Sequence, residues 1–301
     1  MTAVVKPVGD PVRRFLEKQQ DKYLYRPLLL SVETLALCNA ACNFCPYPAM
    51  DRKGDRMSDE LFRKIIDDVA EDQAVQPEIF TPCRVNEPFL DTRIYDFCRY
   101  VADKLPRTGI ALFTNGTALS EKNISRLGVL RNMSYLKVSF NSHDREEYER
   151  VMKLPYHKTL SKVRLLHDAV AAGQIKFRVI MGRVSDNKAA DPEYVEWVRE
   201  EFPLFEGKTL PRFNWTSGVG GASFEVPDQP CSQWFTLHIL ASGDEAFCNL
   251  DGEGLYGRSN AATTNALDLY NRPDKLELRK SLISRRETEV AMCRSCTLGA
   301  G

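Results

Sequence analysis

From residue 28 to about 215, short apolar runs alternate with stretches whose apolar residues recur at helical spacing. Residues 28–37 (LLLSVETLAL) are apolar and β-branched and read as a strand. Residues 79–83, 110–114, 135–140 and 175–181 read the same way, and 212–216 makes a weaker last strand. Between them, Ser58 is placed to cap a helix whose apolar face is Leu61, Phe62, Ile65, Ile66 and Val69. Residues 92–105 and 159–172 are further helices, the second closed by Gly173. Asp191-Pro192 opens another, with a capping residue and proline at the first helical position. Strands alternating with helices imply a parallel sheet, either doubly wound or curled into a barrel. Periodicity does not choose between the two.

The pattern changes after a Gly-rich stretch at 217–223 (SGVGGAS). That stretch lacks the Lys-Ser/Thr and the following helix of a phosphate loop, and it reads as a flexible crossover. Residues 234–240 (WFTLHIL), a turn at 241–244 and a return at 245–248 predict a β-hairpin. Residues 273–286 predict a basic amphipathic helix with Leu276, Leu278, Leu282 and Ile283 as its apolar side.

Composition narrows the class. Apolar residues are 43% and charged residues 27% of the 301, as in an ordinary globular protein. Lys plus Arg and Asp plus Glu are both 41, and this balance disfavours a nucleic-acid partner. No run reaches the roughly 18 apolar residues of a membrane helix. The first 26 residues carry charges and prolines rather than a secretory signal, so the expected location is cytoplasmic. In such a compartment nine cysteines point to metal or redox chemistry rather than disulfides.

Cys38, Cys42 and Cys45 follow the first strand as C-x3-C-x2-C, on a loop with Asn39, Asn43, Pro46 and Pro48. Short ligand loops close around one centre at low entropic cost. A structural zinc site wants four ligands, and no fourth Cys or His is near. Three cysteines on a [4Fe–4S] cube leave one iron open for catalysis. The second group is Cys231 and Cys248 at the outer ends of the hairpin, then Cys293 and Cys296 as C-x2-C after the basic helix. Spacing leaves an iron–sulfur centre and a four-cysteine zinc ribbon both open there. Cys98 shares a helix with Phe97 and Val101 and reads as a structural thiol. Cys83 lies on the second strand, within reach of a barrel interior.

The segment CNAACNFC at 38–45 resembles the signature of the radical S-adenosylmethionine (SAM) superfamily. The resemblance implies a partial (β/α)6 TIM-type barrel, with its site at the C-terminal strand ends. It also implies that SAM chelates the open iron and is cleaved to a 5′-deoxyadenosyl radical that takes a hydrogen atom from substrate. Glu87 and Pro88 match the superfamily's Gly-Gly-Glu-Pro segment, whereas Val85 and Asn86 depart from it. Thr114-Asn115-Gly116 is a recurrent and mostly structural match. The implied SAM neighbours are Phe44, Asn86, Glu87, Pro88, Ser139, Asn141, Arg178 and Met181. The C-terminal half resembles the twitch domain, a hairpin and helix carrying a second [4Fe–4S] cluster on Cys231, Cys248, Cys293 and Cys296. The expected organisation is a helical extension at 1–27, the barrel at 28–222 and the twitch domain at 223–301.

In size and plan the chain resembles the neomycin C epimerase and 2-deoxy-scyllo-inosamine dehydrogenase families. The first resemblance implies inversion of a sugar carbon of an aminoglycoside in antibiotic biosynthesis, with a Cys thiol returning the hydrogen atom. It points to Cys248 as donor, which is equally the fourth auxiliary ligand, with Cys83 as the other candidate. The second implies oxidation of an aminocyclitol alcohol to a ketone. That family carries Arg before a Gly-Gly pair, and the stretch here, Val219-Gly220-Gly221, lacks it. Expected partners are an aminoglycoside or aminocyclitol substrate and an external electron donor such as flavodoxin or ferredoxin. Glu225, Asp228 and Asp251 are the carboxylates expected to hold a polycationic substrate. A non-catalytic two-cluster electron carrier is the non-enzymatic alternative, and Glu87-Pro88 argues against it.

Overall fold

The computed structural model describes residues 10–185, 189–220 and 225–298. The first element is α1 (Pro11–Tyr23), capped by the Asp10 carboxylate, which accepts from the Val12 N–H at 2.9 Å. β1 (Leu29–Val32) leads through the first cysteine loop to α2 (Asp59–Ala70). Ser58 caps α2, its Oγ accepting from the Leu61 N–H at 3.1 Å, and Asp59 and Glu60 in the first turn complement the helix dipole. β2 (Ile79–Thr81), α3 (Ile94–Lys104), β3 (Gly109–Thr114), α4 (Glu121–Gly128) and β4 (Met133–Ser139) follow. Then come α5 (Arg145–Met152), α6 (Tyr156–Ala171), β5 (Arg178–Ser185), α7 (Ala190–Glu201) and β6 (Glu206–Pro211). The C-terminal part holds β7 (Thr236–Ile239), β8 (Glu245–Ala246), α8 (Ala266–Tyr270), α9 (Pro273–Ser281) and α10 (Ala291–Arg294).

One sheet carries all the strands, in the order β6-β5-β4-β3-β2-β1-β7-β8. A doubly wound sheet reverses its strand order at a switch point. Here β1 to β6 run parallel and in sequence, each crossover stepping the same way, which is the winding of a partial TIM-type barrel. The C-terminal hairpin continues this sheet: β7 pairs parallel with β1, and β8 pairs antiparallel with β7. The expected boundary at 222/223 falls outside the described residues.

Several expectations shift, among them the helix expected at 273–286, which ends at Ser281 where Leu282 takes φ +47. The strand expected at 175–181 begins at Arg178 and runs to Ser185, because Ile175 is spent on closing α6: its N–H and that of Gln174 both reach Ala169 O. Gly173 makes that turn at φ +71. The last barrel strand is Glu206–Pro211, not 212–216. It is a half-buried edge strand without apolar alternation, and pairing with β5 defines it rather than pattern. Asp191 lies inside α7 and does not cap it, because its carboxylate accepts from Arg183 Nε at 2.7 Å.

The barrel core and a second apolar cluster are distinct. The second cluster joins α1 to the C-terminal part: Leu16 and Tyr23 pack with Trp234, Phe235, Phe247 and Leu278. Tyr270 Oη donates to Tyr23 O at 2.7 Å, and Arg279 Nε donates to Leu24 O at 2.8 Å. Under the hairpin, the buried Glu245 meets Arg272 at 2.7 Å and Lys275 at 3.7 Å. Glu245→Ala strands these cations in a dry interior. It is expected to cost about 3–5 kcal/mol, as breaking a buried pair does, measured as a lowered denaturation midpoint. No helix among the described residues is long and apolar enough to cross a membrane.

Candidate active site

A cavity of about 290 Å³ opens at the C-terminal ends of the barrel strands. The loop after β1 brings Cys38, Cys42 and Cys45 to its wall. The barrel holds that loop in place: Ala41 N–H donates to Met152 O at 3.3 Å and Asn43 N–H to Val151 O at 3.1 Å. Asn39 Nδ2 donates to Thr117 Oγ1 at 2.9 Å, and Cys42 Sγ lies 3.4 Å from Met152 Sδ. Burial pushes all three thiols up, Cys45 to about 12, and charge on Cys38 acts on both others. Three thiols that feel one another in a partly dry site favour a positively charged centre, which would deprotonate them.

After β2, the Glu87 carboxylate is buried and accepts from Phe89 N–H at 3.2 Å, Thr114 Oγ1 at 2.9 Å and Asn115 N–H at 2.7 Å. Burial is the dominant effect and raises its pKa to about 7. An ammonium arriving against it would be matched by a carboxylate whose charge becomes cheaper to hold. Asn86 lines the cavity as well, its Oδ1 accepting from Arg84 N–H at 2.9 Å. Pro88 sits behind Glu87 and opens the turn Pro88–Leu90. From β4 come Ser139 and Asn141, and from the cysteine loop Phe44. Trp215 Nε1 donates to Phe44 O at 2.9 Å, and both residues line the cavity. Glycine is required at position 220, at φ +148, because a Cβ on Gly220 would stand 2.4 Å from Phe213 O.

Two expected SAM neighbours lie away from this cavity. Arg178 is the first residue of β5, at the opposite end of the barrel, half exposed and 3.6 Å from Glu206. Met181 is fully buried in mid-strand and, three positions from Val184, points to the opposite face from the Val184 side chain that lines the cavity. Nor do the expected carboxylates reach it. Asp251 is buried and accepts from the N–H groups of Phe247, Leu255 and Tyr256 at 3.0, 2.9 and 3.2 Å. Glu225 is exposed and paired with Arg286 at 3.6 Å, and Asp228 is exposed. The cavity takes in Cys83, the other donor candidate, and gains Arg84, Lys137 and Asn249. Lys137 was within reach of sequence reasoning: it shares strand parity with Ser139 and Asn141.

Cys231, Cys248, Cys293 and Cys296 converge in the second apolar cluster, and charge on the other three raises Cys248 further above its burial effect. Buried donors without acceptors accompany them: Arg84 Nε and Nη1, Trp234 Nε1 and Thr297 Oγ1. Arg84 Nη2 donates to Cys248 O at 3.1 Å and to Asp251 O at 3.0 Å. Orphaned buried N–H groups are costly. Around four cysteines they suit an anionic group of thiolates and sulfides. Among the described residues no three His, Cys, Asp or Glu side chains are close enough to ligate a single metal ion. Cysteines on a cube each hold a different iron and stand farther apart than that.

The sequence profile of the radical SAM superfamily matches residues 32–191. The chain belongs to that superfamily. Among solved structures, BtrN in complex with AdoMet and 2-DOIA superposes with a TM-score of 0.60 at 16% identity, over 89% of this chain and 92% of that one. Streptococcus suis SuiB bound to S-adenosylmethionine gives 0.69 at 12% identity, over 94% and 74%. Native anSMEcpe with bound AdoMet gives 0.60 at 14%, over 85% and 82%. At these identities the likeness is one of fold. No curated protein matches the chain. Membership implies a [4Fe–4S] cluster and SAM; Cys38, Cys42 and Cys45 are the residues that would hold the cluster, which would supply radical chemistry there when bound.

Proposed function

We propose that this enzyme is a radical SAM epimerase that inverts a hydroxyl-bearing ring carbon of an aminoglycoside or aminocyclitol, with Cys83 returning the hydrogen atom. The observation that carries this reading is the Cys83 thiol, which lines the same cavity as Cys38, Cys42 and Cys45. Phe113 N–H donates to its sulfur at 3.3 Å, and Phe113 O lies 3.6 Å away, which fixes the side chain at the end of β2. Burial pushes this thiol up to about 12, so it keeps the S–H that a hydrogen-atom donor needs. Cys248 is absent from the cavity wall and sits with the other three C-terminal cysteines, which supports the role of fourth auxiliary ligand over donor.

A hydrogen atom leaves one face of the substrate carbon, and the S–H bond of Cys83 supplies another to the opposite face. The thiyl radical left behind takes one electron and one proton, the electron coming from an iron–sulfur centre or from a flavodoxin- or ferredoxin-type donor. The carboxylates once suited to a polycation lie outside the cavity, whose wall carries Arg84, Lys137 and Arg212 against the single acid Glu87. The part of the substrate that enters is therefore a neutral, hydroxylated ring face.

One observation favours a second reading, oxidation to a ketone. Asn249, which follows Cys248 directly, lines the cavity, so a centre held by the C-terminal cysteines would adjoin the wall and could take an electron. Anaerobic turnover in deuterated water with SAM, a reductant and candidate aminoglycosides separates the two. Inversion through a thiol leaves one deuterium at the inverted carbon. Oxidation gives a product two mass units lighter without that label, and would overturn the epimerase reading.

A further inference from the structure

Lys137 stands in the middle of β4 and projects into the cavity. Its stem crosses to β5, where a Cβ at Gly182 would lie 2.5 Å from Lys137 Cε. Glycine at that position makes room for the lysine. Among the described residues the amino group has no hydrogen bond or ion pair, and its recorded neighbour is the Phe113 ring, 5.7 Å from Nζ to centroid. The charged side chains on the same wall are Arg84, Arg212 and Glu87. Glu87 is occupied by Thr114 and Asn115, and no acid faces Lys137. The packed neighbours Phe113 on β3 and Gly182 on β5 carry no charge. A half-buried amine without a counter-ion is held neutral more easily than one in open solvent, and desolvation lowers this one to about 8.

We infer that Lys137 is a catalytic residue whose neutral amine accepts a hydrogen bond from the hydroxyl on the carbon that loses its hydrogen atom. The inference rests on the alcohol substrate proposed above. The C–H bond breaks and the hydrogen atom leaves. The O–H bond stays intact while the Nζ lone pair draws on its proton, which raises electron density on oxygen and weakens the adjacent C–H bond. On the inversion route Cys83 returns a hydrogen atom and the amine is unchanged. On the oxidation route the same amine takes the O–H proton and becomes ammonium, the C–O bond becomes a carbonyl, and the electron passes to the C-terminal iron–sulfur centre.

The test uses the reconstituted holoenzyme. Competitive acetylation with trace acetic anhydride from pH 6 to 11, read by peptide mass spectrometry, should titrate Lys137 near pH 8. With the aminocyclitol alcohols 2-deoxystreptamine and 2-deoxy-scyllo-inosamine as probes, Lys137→Met should lose about a hundredfold in substrate-dependent product, the scale of a lost general base, with iron content unchanged. Lys137→Arg should not restore it, because guanidinium does not accept the hydrogen bond. Lys137→Ala should be partly rescued by added ethylamine, which a packing role would not allow. Wild-type turnover should climb about tenfold per pH unit below 8 and level off above, and Lys137→Met should lose that slope. A Lys137 midpoint in the ordinary lysine range, or full turnover in Lys137→Met, overturns the inference. If the wild type converts neither probe, the substrate proposal falls and the labelling midpoint alone decides for or against a neutral amine.

Discussion

Replacing Cys38, Cys42 and Cys45 together by alanine should remove half of the iron and all SAM cleavage. With both cysteine groups filled by [4Fe–4S] cubes, the anaerobically reconstituted chain carries about eight irons, and the triple variant about four. The loop offers no substitute ligand. Cys83 is engaged with the Phe113 backbone, and Cys98 is sealed in the core on α3. The fold should survive, because the loop is pinned through main-chain bonds to Met152 and Val151 that need no thiol. Iron and acid-labile sulfide analysis, with chromatographic detection of 5′-deoxyadenosine, checks each part. Zinc without sulfide in the anaerobic wild type would remove both clusters from the account.

Legibility in the sequence followed local physics. α2 was readable because its cap, acidic first turn and apolar stripe are all within its own residues. The hairpin and the Gly173 stop were readable for the same reason. β6 was not: its residues are uniformly half-buried, and what makes them a strand is the free edge of β5. The register of β5 failed because Ile175 is apolar for the sake of the helix before it. The observed strand leaves Arg178 at its start and Met181 in its middle, away from the strand ends that line the cavity. The docking of α1 against α9 was also beyond local reading, since Leu24 and Arg279 are 255 residues apart. In the site, the cysteine spacings marked both groups, and Glu87 was visible as a motif. Arg84 and Lys137 carry no motif. Strand parity alone could place Lys137 on the cavity face, but that its amine and two Arg84 nitrogens are left without partners among the described residues is visible only in the fold.

The choice between Cys83 and Cys248 has separable outcomes. Cys83→Ser keeps a group that can accept from Phe113 N–H, so β2 and β3 stay joined, but an O–H bond is too strong to give up a hydrogen atom to a carbon radical. It should still form 5′-deoxyadenosine when substrate is present, because abstraction precedes quenching, and it should produce no inverted, deuterated product. Cys83→Ala should behave alike at a small further loss of stability. Cys248→Ala should instead lose the C-terminal centre, dropping iron from about eight to about four per chain, and lose turnover with it. Its thiol lies among Cys231, Cys293 and Cys296 in a buried cluster, where removing one ligand breaks a closed set. Inversion retained in both Cys83 variants would take that residue out of the reaction. A Cys248→Ala protein that keeps all its iron and stalls after abstraction would return the donor role to Cys248. It would also mean that the backbone at Cys248–Asn249 turns its side chain toward the cavity when substrate is bound.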